Sequence, residues 1–371
     1  VTRLLFELLP AMTERLPHVT LGAWPTPLDR VHVGGQHFLA KREDLGTESY
    51  AGNKIRPLEV VFGEAARRGV DEVWATGAWG SNHALATVVH ARRAGFSGGA
   101  VLWPQPWSQT AVANLRATVA QADQLVWAGS VATMPLWGLW LGERRRALVM
   151  PPGAATAQYA LGHAQGALEL AAQTRAAGIE GPATIVVPVG STCTTVGLLV
   201  GTALAVRLGL WTTAPRIHAV RVTPWPVTDR WRIVQLALTT ARKLETLGGP
   251  KSLLSQSSIL QRLELVTDRL GHGYGVPTTD GWQAIARLLD ADTRVERVVA
   301  GGDGATMAAP LRLDTTYSAK AGAYLLDALP RLQTPVVFWM TKSHAPLPAP
   351  DPRREAALPE AVRRFIAGPL G

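Results

Sequence analysis

The chain reads as an α/β protein built on mostly parallel sheet with helices on both faces. Three observations predict this. Short apolar, β-branched runs alternate with amphipathic stretches along most of the 371 residues. Small-residue turns, 76-TGAWGSNHA-84 and 188-PVGSTCTTVG-197, join such a run to the helix that follows. The balance of 47% hydrophobic and 18% charged residues is that of a globular chain with a sizeable core.

Taken in order, the opening VTRLLFELLPAMTERL predicts a short helix. It carries Glu7 and Glu14 and has no small-residue cleavage pattern, so it does not read as a secretion leader. Strands are predicted at 72–76, 100–103, 124–127, 147–150, 183–189, 217–222 and 335–340. Helices are predicted at 55–68, 84–94, 109–122, 157–176, 195–208 and 318–329. Residues 230–270 predict two helices around Gly248-Gly249-Pro250. Residues 295–312, with Gly301-Gly302-Asp303-Gly304, predict a surface excursion. No repeat recurs, and the one biased tract is the proline-rich stretch 346–352.

Several functional classes are disfavoured. No apolar run reaches the ~18 residues of a membrane span. Cys193 is the single cysteine, so an intrachain disulfide is excluded and a reducing cytoplasm is expected. The net charge is +9, but its clusters are short and scattered: Arg67-Arg68, Arg92-Arg93, Arg144-Arg145-Arg146 and Arg353-Arg354. No aromatic residues interleave them, so a nucleic-acid partner is not expected. His83, His163 and His272 are too dispersed to predict a metal site.

The chemistry centres on 49-SYAGNKIRPLE-59. Gly52 permits a positive φ, Asn53 suits a helix cap, and Pro57 falls in the first turn. Ile55, Leu58, Val61, Phe62 and Ala65 then form a buried stripe. Lys54 thus sits at the positive end of a helix, the wrong end for a cation. Held there and partly desolvated, its amine is pushed toward the neutral form, as a Schiff-base lysine requires. In 76-TGAWGSNHA-84, Ser81 and Asn82 offer donors at a helix N-terminus, a place for a carboxylate. In 188-PVGSTCTTVG-197, Gly190, Ser191, Thr192, Thr194 and Thr195 surround Cys193 at a strand-to-helix turn, which suits a phosphate. Neither a Walker lysine nor a GxGxxG fingerprint is present.

With these motifs in this order, the chain resembles the D-cysteine desulfhydrase / 1-aminocyclopropane-1-carboxylate (ACC) deaminase family. These are pyridoxal-phosphate (PLP) enzymes of the tryptophan synthase β-like fold, fold type II. The resemblance is carried by 24-WPTPLDRV-31, 41-KREDL-45, 52-GNKIRPLE-59, 80-GSNHA-84 and 151-PPGAATAQYALGHAQGALEL-170. It continues through 189-VGSTCTTVGL-198, 273-GYGVPT-278 and 313-LDTTYSAKA-321. It implies two open twisted, mostly parallel sheets. A large PLP-binding domain would comprise 1–66 and 171–371, and a small substrate-closing domain 67–170.

The resemblance also implies roles. Lys54 holds PLP covalently and moves protons at the substrate α-carbon. Asn82 bonds the ring hydroxyl, and Ser81 with the backbone at Asn82 and His83 takes the substrate carboxylate. Gly190, Ser191, Thr192, Cys193 and Thr194 hold the phosphate. Tyr317 and Tyr274 flank the ring and substrate, with Ser318 and Thr341 also at the cofactor. Ring-opening deaminases carry glutamate where Ser318 stands, so β-elimination in the manner of a D-cysteine desulfhydrase is favoured over ACC deamination. Another amino-acid substrate in the same fold, or a non-catalytic PLP binder, are the alternatives. The expected partners are a small amino acid and a second copy of the chain, with no membrane.

Chain-specific departures are also visible. Lys342 stands in 341-TKSH-344, where the family usually has Gly-Gly. Pro57 replaces a basic residue, Thr192 and Cys193 replace glycines, and Trp79 replaces a small or polar residue.

Overall fold

The computed structural model describes residues 3–144, 146–301 and 306–369. Strands β1 (Leu28–Val33) and β2 (Gln36–Arg42) form a hairpin across Gly34-Gly35. Strands β3 (Glu72–Ala78), β4 (Ser97–Trp103), β5 (Gln124–Trp127) and β6 (Ala147–Val149) form a wholly parallel sheet in the order β5-β4-β3-β6. The remaining strands are β7 (Thr184–Val189), β8 (Arg216–Arg221), β9 (Leu263–Val266), β10 (Arg294–Arg297), β11 (Thr306–Met307) and β12 (Val336–Met340). They join the hairpin in a larger sheet ordered β11-β10-β1-β2-β12-β7-β8-β9. Its β2-β12-β7-β8-β9 portion is parallel, and its other edge is antiparallel.

Side-chain alternation splits the larger sheet's interior into two cores. Along β12, Val337 and Trp339 face one core while Val336, Phe338 and Met340 face the other. Every residue of β7 and β12 is buried, as expected for parallel strands covered on both faces. Helices Ile55–Arg68, Ala157–Ala176, Cys193–Arg207 and Arg230–Thr246 contribute to the first core. Helices Thr279–Leu289 and Ser318–Ala328 contribute to the second. The smaller sheet packs Val73, Ala75, Ala100 and Leu102 into the first core, while Trp74 and Val101 meet Leu141 on its other face.

A buried ion cluster anchors the helix that starts beside Lys54. Arg56 donates to both Glu43 and Glu169, with Nη2 2.7 Å from an oxygen of each. Lys41 Nζ reaches Glu169 at 3.3 Å and the Thr26 carbonyl at 2.8 Å. The guanidinium also lies 4.0 Å from the centroid of the Trp24 ring. Removing any one charge would strand the others in low dielectric.

The two-sheet architecture expected from the sequence is present, with local corrections. The opening segment is two short helices, Leu4–Leu8 and Met12–Arg15, because Pro10 interrupts it. The 230–270 stretch holds helices Arg230–Thr246 and Gln256–Arg262, but then runs into β9. The 295–312 stretch is not simply a surface excursion: β10 pairs with β1, and β11 pairs with β10. Gly302-Asp303-Gly304 of that stretch and Arg145 of the arginine run lie outside the described residues. No helix among the described residues is long and apolar enough to cross a membrane.

Candidate active site

Parallel strands deliver their carboxyl ends to one place, and the loops that follow them form a binding cleft. Here a cavity of about 470 Å³ is lined by the residues at or just past the ends of β3, β4, β7 and β12, and by segments following β5, β6 and β8. It holds Lys54, Ser81, Asn82, His83, Gly190, Ser191, Thr192, Thr194, Tyr274, Tyr317 and Thr341 together. Among its described lining residues Lys54 is the only lysine or arginine, and no carboxylate is present.

Lys54 lies in the single 3-10 turn Gly52–Lys54 that leads into helix Ile55–Arg68. Gly52 has φ +58, and a Cβ there would lie 2.2 Å from the Thr341 carbonyl oxygen. Only glycine fits this turn, which seats Lys54 against the end of β12. Asn53 does not cap the helix. Its backbone N–H donates to the Thr341 carbonyl (3.0 Å) and its side-chain amide to Thr194 Oγ1 (2.9 Å). Burial pushes the Lys54 amine below its ordinary range, with Cys193 opposing the shift. Desolvation is the stronger cause, and it favours the neutral nucleophile.

On the other wall, Ser81 caps helix Asn82–Ala91 by accepting from Ala84 N at 3.2 Å. Asn82 Oδ1 accepts from Tyr50 Oη (2.6 Å), Asn114 Nδ2 (2.6 Å) and Lys342 Nζ (3.1 Å). His83 is buried, and neither ring nitrogen has a partner among the described residues. Burial, assisted by Lys54, pushes its pKa down to about 3, so the ring is neutral. Gln105 Oε1 accepts from Gly80 N at 2.9 Å and so steadies this loop.

The 190–195 turn opens helix Cys193–Arg207, which has no side-chain cap. Thr192 holds φ +72, a left-handed conformation that costs a non-glycine residue roughly 1–2 kcal/mol. Backbone strain of this kind is concentrated at functional sites. Thr195 Oγ1 is buried without a partner among the described residues. The Gly190 carbonyl is held by Thr223 (3.2 Å) and by Thr228.

Two expected site residues sit differently. Cys193 does not line the cavity: its Sγ donates to the Ala154 carbonyl at 3.3 Å, and burial raises its pKa to about 11. Ser318 is also absent from the lining. Its hydroxyl donates to Asp314 Oδ2 (2.9 Å) and accepts from Asp314 N (2.7 Å), so its proton is not free for a ring nitrogen. Asp314, not Tyr317, caps helix Ser318–Ala328 through the N–H groups of Thr316, Tyr317 and Ser318. Tyr317 and Tyr274 meet edge to face, their hydroxyls 2.6 Å apart. Trp79 turns away from the cavity to pack on Phe365.

Sequence reasoning missed Tyr50, Asn114, Gln105 and Thr223. They come from four separate segments; Tyr50 lies in the Lys54 motif but nothing local marks its contact with Asn82, and the other three belong to no motif. The signal for Lys342 was the anomalous 341-TKSH-344.

A family model described as "Pyridoxal-phosphate dependent enzyme" matches residues 19–324. The chain is 30% identical over 338 residues to nocardicin C-9' epimerase of Nocardia uniformis subsp. tsuyamanensis, covering 88% of this chain and 93% of that protein. It is 32% identical over 203 residues to a Pyrococcus abyssi (strain GE5 / Orsay) protein named "Putative 1-aminocyclopropane-1-carboxylate deaminase", covering 52% and 61%. A crystal structure described as an ACC deaminase homologue superposes with a TM-score of 0.69 at 24% identity, over 93% of this chain and 96% of that one. The family model agrees with the pyridoxal-phosphate class expected from the sequence, the solved structure agrees with the expected fold, and the deaminase-named relative is in keeping with the resemblance.

The groups present suit that cofactor. A desolvated lysine with no hydrogen-bond partner among the described residues is available to its aldehyde. An uncapped helix N-terminus, with a buried hydroxyl that has no partner among the described residues, suits an anion such as its phosphate. With Oδ1 of Asn82 already accepting three bonds, the amide nitrogen is left for the ring hydroxyl. The chain belongs to the family of pyridoxal-phosphate dependent enzymes, and pyridoxal 5′-phosphate is its cofactor.

Proposed function

We propose that the protein is a lyase that removes the α-proton of a small amino acid and expels its β-substituent, giving an α-keto acid and ammonia. D-Cysteine, with sulfide leaving, is the substrate that the sequence favours. The observation carrying this reading is the Lys54 amine: buried, lowered in pKa, and in the same cavity as the Ser81–His83 helix start. PLP, when bound, supplies an electron sink for the α-carbon.

The chain's own residues do the rest. Lys54 would hold the cofactor and carry the proton to and from the α-carbon. The Ser81 hydroxyl and the N–H groups of helix Asn82–Ala91 take the substrate carboxylate. Asn82 would bond the ring hydroxyl, and Thr341 would also lie among the residues that hold the cofactor. The turn formed by Gly190, Ser191, Thr192 and Thr194, with the backbone of Cys193, would hold the phosphate. Tyr317, hydrogen-bonded to Tyr274, would stand by the substrate. The position after Tyr317 offers no carboxylate, and Asp314 is occupied by its helix cap. That favours elimination over ring opening. Residues 67–170 would close over 1–66 and 171–371 to exclude water. A homodimer in a reducing cytoplasm completes the assignment, and sedimentation tests the dimer.

A second reading has support in the nocardicin epimerase relative, which aligns over 93% of its length. In it the α-proton returns on the other face and no β-substituent leaves. The neutral cavity wall suits an uncharged side chain in either case. The test has two stages. Wild-type protein should show the visible absorbance of a lysine-bound cofactor, and Lys54→Ala should lack it. D- and L-cysteine, serine and longer neutral amino acids are then assayed for keto acid and for α-deuterium exchange. Keto acid supports elimination, whereas exchange with inversion and no keto acid supports epimerisation. An absent cofactor band, or a band unchanged in Lys54→Ala, removes both.

A further inference from the structure

Lys342 lies two residues beyond β12 and reaches across to the smaller sheet's substrate wall. Its Nζ is 2.7 Å from Tyr50 Oη, 3.1 Å from Asn82 Oδ1 and 3.1 Å from Asn114 Oδ1. The ammonium also sits 4.8 Å from the Tyr50 ring centroid. These contacts fill its three N–H donors. Asn114 in turn donates to the Gly80 carbonyl at 2.9 Å and to Asn82 Oδ1. One lysine from the larger sheet's side thus ties together three side chains around the Ser81–Asn82 loop.

The contact also settles an orientation. An amide's oxygen and nitrogen are nearly alike in shape, and their assignment rests on their partners. A lysine ammonium has no lone pair, so it bonds oxygen and never an NH2 group. Asn82 must therefore turn Oδ1 toward Lys342 and Nδ2 the other way.

We propose that Lys342 is a positioning residue that fixes the Asn82 amide with its nitrogen toward the cofactor. The inference rests on the PLP-binding reading above, and it assigns the Lys342 departure noted in the sequence a role at the site. Burial lowers the Lys342 pKa to about 8, opposed by Asp314, so the ammonium predominates at neutral pH. A positive charge behind Asn82 also withdraws electrons from its amide and favours less protonated forms of whatever the amide contacts.

The test uses Lys342→Met, which keeps the chain length and removes the donor and the charge. PLP affinity of the cofactor-free protein and the pH midpoint of its lysine-bound absorbance are measured for wild type, Lys342→Met, Asn82→Ala and the double variant. Thermal unfolding of each cofactor-free protein reports folding separately. Expected for Lys342→Met are about tenfold weaker PLP binding and a midpoint raised by about one unit. In the Asn82→Ala background the same change should do almost nothing, because Lys342 acts through Asn82. Wild-type affinity and midpoint in Lys342→Met overturn the proposal. So does an equal loss in both backgrounds, which marks a purely structural role. Wild-type protein that takes up no PLP sinks the cofactor reading itself, and this inference with it.

Discussion

Gly153→Ala tests whether the turn after β6 shapes the space shared by Lys54 and the phosphate turn. Gly153 has φ +65, and a Cβ there would lie 2.1 Å from Ser191 Oγ, 2.3 Å from Ser191 Cβ and 3.5 Å from Lys54 Nζ. The hydroxyl can rotate away, but the Ser191 Cβ cannot. Carbon atoms rest roughly 3.5–4.0 Å apart, so the Ser191 backbone must retreat by more than ~1 Å. Left-handed backbone adds a strain of about 1–2 kcal/mol. A misplacement of ~1 Å in a positioning element costs about 10²-fold. At 1.36 kcal/mol per decade that is about 2.7 kcal/mol. The PLP dissociation constant of Gly153→Ala should therefore rise about 100-fold, read by absorbance titration of the cofactor-free protein. Adding Ser191→Gly removes the obstructing Cβ. The double variant should bind at least about tenfold better than the product of the two single losses, a coupling of about 1.4 kcal/mol. Affinity within about threefold of wild type in Gly153→Ala would refute the steric reasoning, as would strict additivity in the double variant.

Two further predictions concern the frame around the site. Glu169→Gln leaves Arg56 and Lys41 with a missing counter-charge in the core, and should cost ~3–5 kcal/mol, seen as a lower denaturant midpoint. His90 is buried, and burial, aided by Arg93, lowers its pKa to about 4 against 6.5 in the unfolded chain. The folded protein then binds fewer protons, so its stability is complete above pH ~6.5 and declines as pH falls, levelling below ~4. His90 accounts for up to roughly 3 kcal/mol of that decline. His90→Gln should flatten the stability–pH curve in this window by about 1.4 kcal/mol per pH unit, and an unchanged slope counts against the assignment.

Much of the site was legible because its parts lie in short contiguous motifs. Lys54, the 80–84 loop and the 190–195 turn each sit where a strand or loop meets a helix, and small residues mark such junctions. The strands of the smaller sheet and the helix at 157–176 were read from their apolar pattern, and the helix at 55–68 from its pattern together with Gly52, Asn53 and Pro57 at its start. The hairpin β1–β2 was not, since Asp29, Lys41 and Arg42 are buried in ion pairs rather than exposed. Arg42 pairs with both Asp29 and Asp44 inside the protein, which hides the strand's buried face behind charged letters. Strand β9 was missed because it continues directly from a helix at Arg262, with no turn residue to mark the change.

The sequence alone determined the alternation of strands and helices, the glycines that admit a left-handed turn, and the presence of a lysine at a helix start. These are local properties, set by backbone sterics and by the period of apolar residues. Tertiary structure decided which side chains share the cavity, because that depends on strand order, and strand order joins residues hundreds of positions apart. It turned Cys193 and Ser318 away, gave Asp314 the helix cap, and placed Lys342 on Asn82. It also set the Lys54 amine's environment, since desolvation is a property of everything packed around a group and of no single stretch of chain.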